Sequence, residues 1–89
     1  MARTVQVELA GFTDLYRDLE SYVVSLDRVL SRIGAGDDPG ILVDYVVEHG
    51  LPARLARDRR FVIDSLEGAI GAEAVEEIAE QVKVYGDPD

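Results

Sequence analysis

The longest hydrophobic pattern in the chain predicts an α-helix from about Asp14 to Ile33. Apolar side chains recur there every three or four residues, which is the spacing of one helical face. The residues of this stripe are Leu15, Leu19, Tyr22, Leu26, Val29 and Ile33. Thr13 can cap the first turn, and Gly34 and Gly36 can end the helix. We expect the stripe to face the core of the monomer, and a coiled-coil contact between subunits is the alternative.

The residues before this helix alternate between polar and apolar. The alternation runs from Thr4 to Leu9, includes β-branched side chains and is followed by Gly11. A period of two predicts a short β-strand, which would lie in an N-terminal arm of residues 1–11. Residues 82–85 alternate in the same way, so a second strand there could pair with the first. Because a ribbon of two strands is marginal in water, it would have to pack on the helices or gain strands from another subunit.

Three further helices are predicted in the remainder of the chain. The first has Asp38 as its N-cap and Pro39 in its first turn, and it ends at Gly50. Its buried side is formed by Ile41, Leu42, Tyr45 and Val46. The second covers about residues 52–70, and the third covers about residues 72–82.

The helix of residues 52–70 contains a conflict. One face carries the apolar side chains of Leu55, Val62, Leu66 and Ile70. At about 100° per residue, Arg59 points near this face and Phe61 points away from it. A straight helix would therefore bury an arginine and expose a phenylalanine. We predict either a break or kink between Arg57 and Phe61 or a second packing surface that receives Phe61.

These elements together predict a mainly α fold: a small bundle of about four helices with a short N-terminal β-strand. A C-terminal strand would be added if residues 82–85 pair with the first. The length of 89 residues and the mass of 9.8 kDa fit a single domain spanning residues 1–89. Residues 86–89 would form a frayed tail. A chain of this size buries only about 60% of its unfolded surface, so we expect a small core.

The chain is strongly acidic, and its charge is unevenly distributed. Eighteen acidic residues against nine basic ones give a net charge of −9. Residues 51–63 carry four arginines and one aspartate, whereas residues 64–89 carry eight acids and one lysine. Such a surface repels phosphate backbones and anionic lipids, so nucleic-acid binding is disfavoured and no membrane partner is expected. We see no pattern of a signal peptide or a membrane span, and we expect a cytoplasmic location or a place within a larger intracellular particle.

The composition leaves little room for an active site. The chain has no cysteine and a single histidine, His49, which lies where it can cap the end of a helix. We find no phosphate-binding glycine loop, nucleophile–base pair or metal-ligand spacing. We therefore predict no enzyme activity, no cofactor, no metal and no small-molecule substrate. One face of the last helix carries Glu73, Glu76, Glu77 and Glu80, which we interpret as solvated, with binding of a cation or a basic partner as the alternative.

The sequence favours a non-enzymatic protein–protein interaction or assembly module. One version is a self-associating structural subunit, in which residues 4–9 add as a strand to a neighbour. The other version is an acidic adaptor or inhibitor that covers a basic partner protein. The residues expected to contact the partner are Val5, Val7, Leu9, Tyr16, Tyr22, Arg54, Arg57, Arg60 and Phe61.

A helix-turn-helix regulator that binds DNA is the alternative from a different class. A helix, the turn at Gly50 and a second helix rich in arginine form the outline of that motif. The arginines that could enter the major groove are Arg54, Arg57, Arg59 and Arg60. The dense acidic flanks weaken this interpretation. The arginines could instead form salt bridges with acids, for example Arg60 with Asp64.

Overall fold

The computed structural model describes residues 3–88, which form four α-helices and confirm the predicted helical bundle. The helices are α1 (Leu9–Gly34), α2 (Gly40–Glu48), α3 (Leu51–Ile70) and α4 (Ala72–Glu80). Residues 1, 2 and 89 lie outside the described part, so the start of the predicted arm and the end of the predicted tail are not covered. No helix within the described range combines the length and the apolar character needed to cross a bilayer.

The predicted N-terminal strand is wrong, and the described part of the chain contains no β-strand. Residues 3–8 have no regular structure, and Leu9 is already the first residue of α1. The other candidate strand, residues 82–85, is irregular and ends in a turn, so neither segment has a partner for a ladder of hydrogen bonds. The alternating pattern instead forms an arm whose Val5 and Val7 side chains line a groove with α1 and α3.

Helix α1 begins at Leu9, well before the predicted start at Asp14. Thr13, which was predicted to be the cap, lies inside the helix and donates its hydroxyl hydrogen to the carbonyl oxygen of Leu9 at 2.8 Å. A threonine within a helix can satisfy its hydroxyl in this way on the preceding turn. The predicted end is confirmed, since α1 stops at Gly34 and Gly36 has a φ of 111° that favours glycine.

Helix α2 begins at Gly40 with Pro39 at the N-cap position, one residue after the predicted cap Asp38. Asp38 still binds the start of the helix, because its Oδ1 accepts a hydrogen bond from the N–H of Gly40 at 2.8 Å. The helix ends before Gly50, whose φ of 57° turns the chain directly into α3. The break predicted in α3 is wrong, since this helix is continuous over its whole length from Leu51 to Ile70. Phe61, which points away from the apolar face of α3, is instead received by a second packing surface, which was the other prediction.

That second surface is the N-terminal part of α1, which receives Phe61. The Phe61 ring lies so close to Gly11 that a Cβ at position 11 would be 2.6 Å from the ring atom Cε1. Arg59 is exposed to solvent, so no charge is buried. The missing side chain of Gly11 therefore allows α1 and α3 to approach each other at this point.

The core is small and lies where α1, α2 and α3 meet. The buried residues of the described chain are Tyr22, Tyr45 and Leu51, and Leu26, Val29 and Val46 pack against them. Three members of the predicted α1 stripe, Tyr22, Leu26 and Val29, and two of the predicted α2 face, Tyr45 and Val46, belong to this cluster. Leu19 of the same α1 stripe is 47% exposed, so the stripe faces the core only in part. Among the described helices, α4 contacts only α3.

The chain is open for its size. Its accessible surface is 7335 Å², whereas a compact chain of this mass would expose about 5,200 Å². Its radius of gyration is 16.5 Å, against about 12 Å for a compact domain of this length. The chain alone therefore leaves about 2,100 Å² more surface in contact with water than a compact monomer would.

Candidate interaction surface

Helices α1 and α3 are joined by five polar side chains that we call the polar cluster: Asp18, Tyr22, Arg54, Arg57 and Asp58. The Nη2 groups of Arg54 and Arg57 each donate to one carboxylate oxygen of Asp18, both at 3.2 Å. The Tyr22 hydroxyl donates to Asp58 Oδ2 at 3.0 Å, and the Arg54 guanidinium lies 5.0 Å from the centroid of the Tyr22 ring. Because residues three or four apart share a helical face, each helix presents its members of the cluster to the other.

The two carboxylates of the cluster have opposite pKa shifts. A hydrogen bond with Asp58, together with those from Arg54 and Arg57, holds the pKa of Asp18 below its ordinary value. Burial and the hydrogen bond with Asp18 raise the pKa of Asp58, and the Tyr22 hydroxyl offsets only part of that rise. Burial also raises the pKa of Tyr22, as does its hydrogen bond to Asp58. Of the two carboxyl groups, that of Asp58 therefore ionises less readily.

The arginines of α3 are used largely for contacts within the chain. Arg54 and Arg57 belong to the polar cluster, and Arg60 Nη1 donates to Asp64 Oδ1 at 3.5 Å, so the predicted salt bridges with acids are confirmed. Arg59 is exposed. A helix that reads the major groove needs its basic side chains directed outward, whereas Arg54 is folded onto α1.

An apolar groove of about 440 Å³ lies between the N-terminal arm, the start of α1 and the middle of α3. Val5 and Val7 of the arm, Phe12 and Leu15 of α1, and Phe61 and Val62 of α3 are among its lining residues. The fold thus brings together three of the predicted partner-contacting residues, Val5, Val7 and Phe61. The Ser65 hydroxyl, which also lines the groove, donates to the Phe61 carbonyl at 2.9 Å, so its hydrogen is already bound.

Helix α1 carries a second apolar stripe, which shares Leu19, Leu26 and Ile33 with the predicted core-facing stripe. We call it the α1 seam, and its members are Leu9, Phe12, Tyr16, Leu19, Val23, Leu26, Leu30 and Ile33. All except Leu26 and Ile33 are between 47% and 78% exposed. The spacing was visible in the sequence, but its first two members precede Asp14, the residue at which the helix was predicted to begin.

Two further residues that were predicted to contact a partner lie on the seam, and a third does not. Leu9 and Tyr16 lie on it, and the Tyr16 hydroxyl donates to Glu20 Oε2 at 3.0 Å along its outer edge. Tyr22 lies at the edge of the seam, where its side chain is turned into the core and is only 4% exposed. It contributes to the core and the polar cluster and presents almost no surface to a partner.

The remaining candidate groups lie away from these surfaces. The four glutamates of α4 are all exposed, and within the described range no three carboxylate or imidazole side chains are grouped so that they could hold a metal ion. His49 occupies the C-cap position of α2, as predicted, and its ring centroid is 5.1 Å from that of Tyr45.

Comparison with known proteins gives no match. No family model matches the sequence, and no curated protein or solved structure matches it.

Proposed function

We propose that this chain is a non-enzymatic assembly module that reaches its stable form by packing against a second copy of itself. The observation that carries the proposal is the accessible surface of 7335 Å², about 2,100 Å² above the value for a compact chain of this mass. A pair that covered this excess on both chains would bury about 4,200 Å² in total, which is in the range of obligate homodimers.

Helix α2 supports the same proposal. Six of its nine residues are large and apolar, and its two acids, Asp44 and Glu48, share one exposed face. A helix with so wide an apolar surface is typically covered on more than one side. Tyr45 and Val46 face the core, whereas Val43 and Val47 are 62% and 71% exposed. Covering these two valines requires a layer that the chain alone does not supply.

The size of the core gives a third reason. Only three side chains in the described range are buried, and two of them are tyrosines that carry a polar hydroxyl. A small domain with so little buried apolar surface commonly gains stability by oligomerising. Because association adds stability by mass action, the folded state of such a chain becomes more stable as its concentration rises.

The acidic surface favours a different version, an adaptor that covers a basic partner protein. A net charge of −9 makes two copies repel each other, whereas it attracts a basic surface. Salt separates the two versions, because screening strengthens association between like charges and weakens association between opposite charges.

The test is the mass of the purified full-length chain in solution, measured by sedimentation equilibrium over a wide range of concentrations. We expect a mass of twice 9.8 kDa at high concentration, with dissociation on dilution and tighter association at higher salt. A mass of 9.8 kDa at every concentration, from a chain that still unfolds cooperatively, would contradict self-association. If this monomer then binds a single basic protein from host extract, the result would support the adaptor version.

A further inference from the structure

We infer that the α1 seam is the surface on which the second copy docks, and that the α1 helices of two chains pair in parallel as a two-stranded coiled coil. This inference rests on the proposed self-association. It also specifies the contact, because the open surface of the chain includes the arm groove and the outer side of α2 as well as the seam.

The spacing of the seam is that of a coiled coil. Its members follow one another at alternating steps of three and four residues, which places four of them at heptad position a and four at position d. The a positions are Leu9, Tyr16, Val23 and Leu30, and the d positions are Phe12, Leu19, Leu26 and Ile33. All eight are apolar, and a repeat of this period keeps them on one side of a helix that supercoils around a partner.

The length and exposure of the seam leave a second helix room to dock. The 26 residues of α1 extend over about 39 Å. Six of the eight seam residues are between 47% and 78% exposed, and one of these six, Phe12, also lines the arm groove. Leu26 and Ile33 are half-buried, so the seam adjoins the core along its C-terminal half. A continuous apolar stripe of this extent is uncommon on a protein that remains a monomer.

A second copy fits this surface because it provides the same heptad repeat. Side chains at a and d positions pack into holes formed by four residues of the facing helix, and that packing needs a matching repeat on the partner. Two identical seams meet this condition along their whole length. The excess surface of the whole chain, about 2,100 Å², exceeds the roughly 800 Å² per partner that a standard interface buries, so pairing of the seams needs to cover only part of it.

Charge selects the parallel orientation. Glu20 and Asp27 occupy e positions at the outer edge of the seam, whereas Leu15 and Tyr22 occupy g positions. In an antiparallel pair, e positions of the two helices face each other, which would place the acids of both chains side by side. In a parallel pair, e positions face g positions of the partner, so the acids meet no like charge.

Disulfide trapping tests the orientation, because the natural chain has no cysteine. In a parallel pair in register, position 23 of one chain faces position 23 of the other. We expect Val23→Cys to form a covalent dimer in high yield under mild oxidation. Ser21→Cys, on the opposite side of the same helix, is the matched control and should remain monomeric under denaturing conditions. If Val23→Cys fails to cross-link while a mixture of Val23→Cys and Leu19→Cys chains does, the parallel orientation is overturned.

A pair of adjacent substitutions tests the docking surface itself. Val23→Glu places a charge in the middle of the seam, whereas Val24→Glu places the same charge beside it. We expect Val23→Glu to weaken association by at least about tenfold, because an unpaired charge would be buried, and Val24→Glu to associate nearly as the natural chain does. Circular dichroism should show both variants to be as helical as the natural chain.

The outcomes for the two proposals can be distinguished. If the natural chain is a dimer and Val23→Glu remains an equally tight dimer, the seam is not the interface, while self-association stands. If the natural chain is a monomer at every concentration, both proposals fail. If Val23→Glu and Val24→Glu weaken association equally, the effect is one of net charge and the seam is again rejected.

Discussion

The two aspartates of the polar cluster should respond in opposite directions to the same substitution, aspartate to asparagine. In Asp18→Asn, Arg54 and Arg57 lose the negative charge to which both donate. In Asp58→Asn, an amide can replace the carboxylate without loss of contacts, because its oxygen can accept from Tyr22 and its NH₂ can donate to Asp18. The first change removes an attraction, and the second removes a repulsion between like charges.

The contacts give the size of each effect. The pair of Arg54 with Asp18 is largely shielded, with side chains 30% and 16% exposed, and a bond to a charged group in such a place contributes about 1.5 kcal/mol. Arg57 is 70% exposed, so its pair adds at most about 0.5 kcal/mol. Relief of the repulsion from Asp58 offsets part of this loss. We expect Asp18→Asn to lower the free energy of unfolding by about 1 kcal/mol and Asp58→Asn to raise it by about 0.5 kcal/mol.

The pH dependence follows from the directions of the pKa shifts. The pKa of Asp58 in the folded chain lies above its ordinary value of 3.8, so the cost of ionising it is absent well below that value and grows as the pH rises through the raised pKa. The pKa of Asp18 lies below 3.8, so its contribution to stability is complete above 3.8 and is lost as the pH falls through the lowered pKa. The advantage of Asp58→Asn over the natural chain should therefore be full at about pH 7 and shrink as the pH falls towards about 4.

The assay is urea unfolding followed by circular dichroism, at one fixed chain concentration because association contributes to stability. The double variant is the control for coupling, since two residues in contact should give a non-additive result. A loss of stability in Asp58→Asn at neutral pH would refute the reasoning, because it would mean that the Asp58 carboxylate stabilises the fold as an anion. An unchanged stability in Asp18→Asn would show that the two arginine contacts contribute nothing.

Two further pairs of substitutions test the packing by urea unfolding. The Tyr45 hydroxyl is buried with no hydrogen-bond partner in the described chain, so Tyr45→Phe should stabilise by about 0.5–1 kcal/mol, whereas Tyr22→Phe, which loses a hydrogen bond, should cost about 1 kcal/mol; the reverse ranking would contradict the assigned contacts. Gly11→Ala should destabilise by about 1–2 kcal/mol, because the new Cβ would press on the phenylalanine ring of α3. Gly68→Ala meets nothing within 4 Å and should stabilise by about 0.5–1 kcal/mol through helix propensity, so equal effects at the two glycines would refute the close approach of α1 and α3.

The parts of the fold that the sequence predicted are those set by local signals. The part of the α1 stripe that reaches the core, the role of Asp38 at the start of α2 and the stop at Gly50 all depend on residues within a few positions of one another. The prediction of the N-terminal strand was wrong because a strand depends on a second segment as well as on its own pattern. An alternating pattern is local, but a strand exists only when a second segment accepts its hydrogen bonds, and residues 82–85 do not do so.

The contacts of the polar cluster could not be predicted from patterns along a single helix. Arg54 and Arg57 pair with an aspartate 36 and 39 residues earlier in the chain, and spacing along one helix cannot identify such a partner. The α1 seam was recoverable, because its heptad spacing is present in the sequence. Six of its eight members lie within residues 14–33, and extending the predicted helix back to Leu9 adds the other two, Leu9 and Phe12.

The short turns between the helices have a consequence for the order of events in folding. Each helix follows its predecessor closely, with Gly50 and Gly71 forming two of the connections, so most contacts of the single chain join segments near in sequence and can form within milliseconds. Pairing of two chains is bimolecular, and its rate falls with concentration. If chains pair through α1, a newly made chain folds first as a monomer. Its α1 seam then stays exposed to water until the monomer meets a second copy. The concentration of the protein would set the lifetime of this monomer, during which the exposed seam can associate with other proteins.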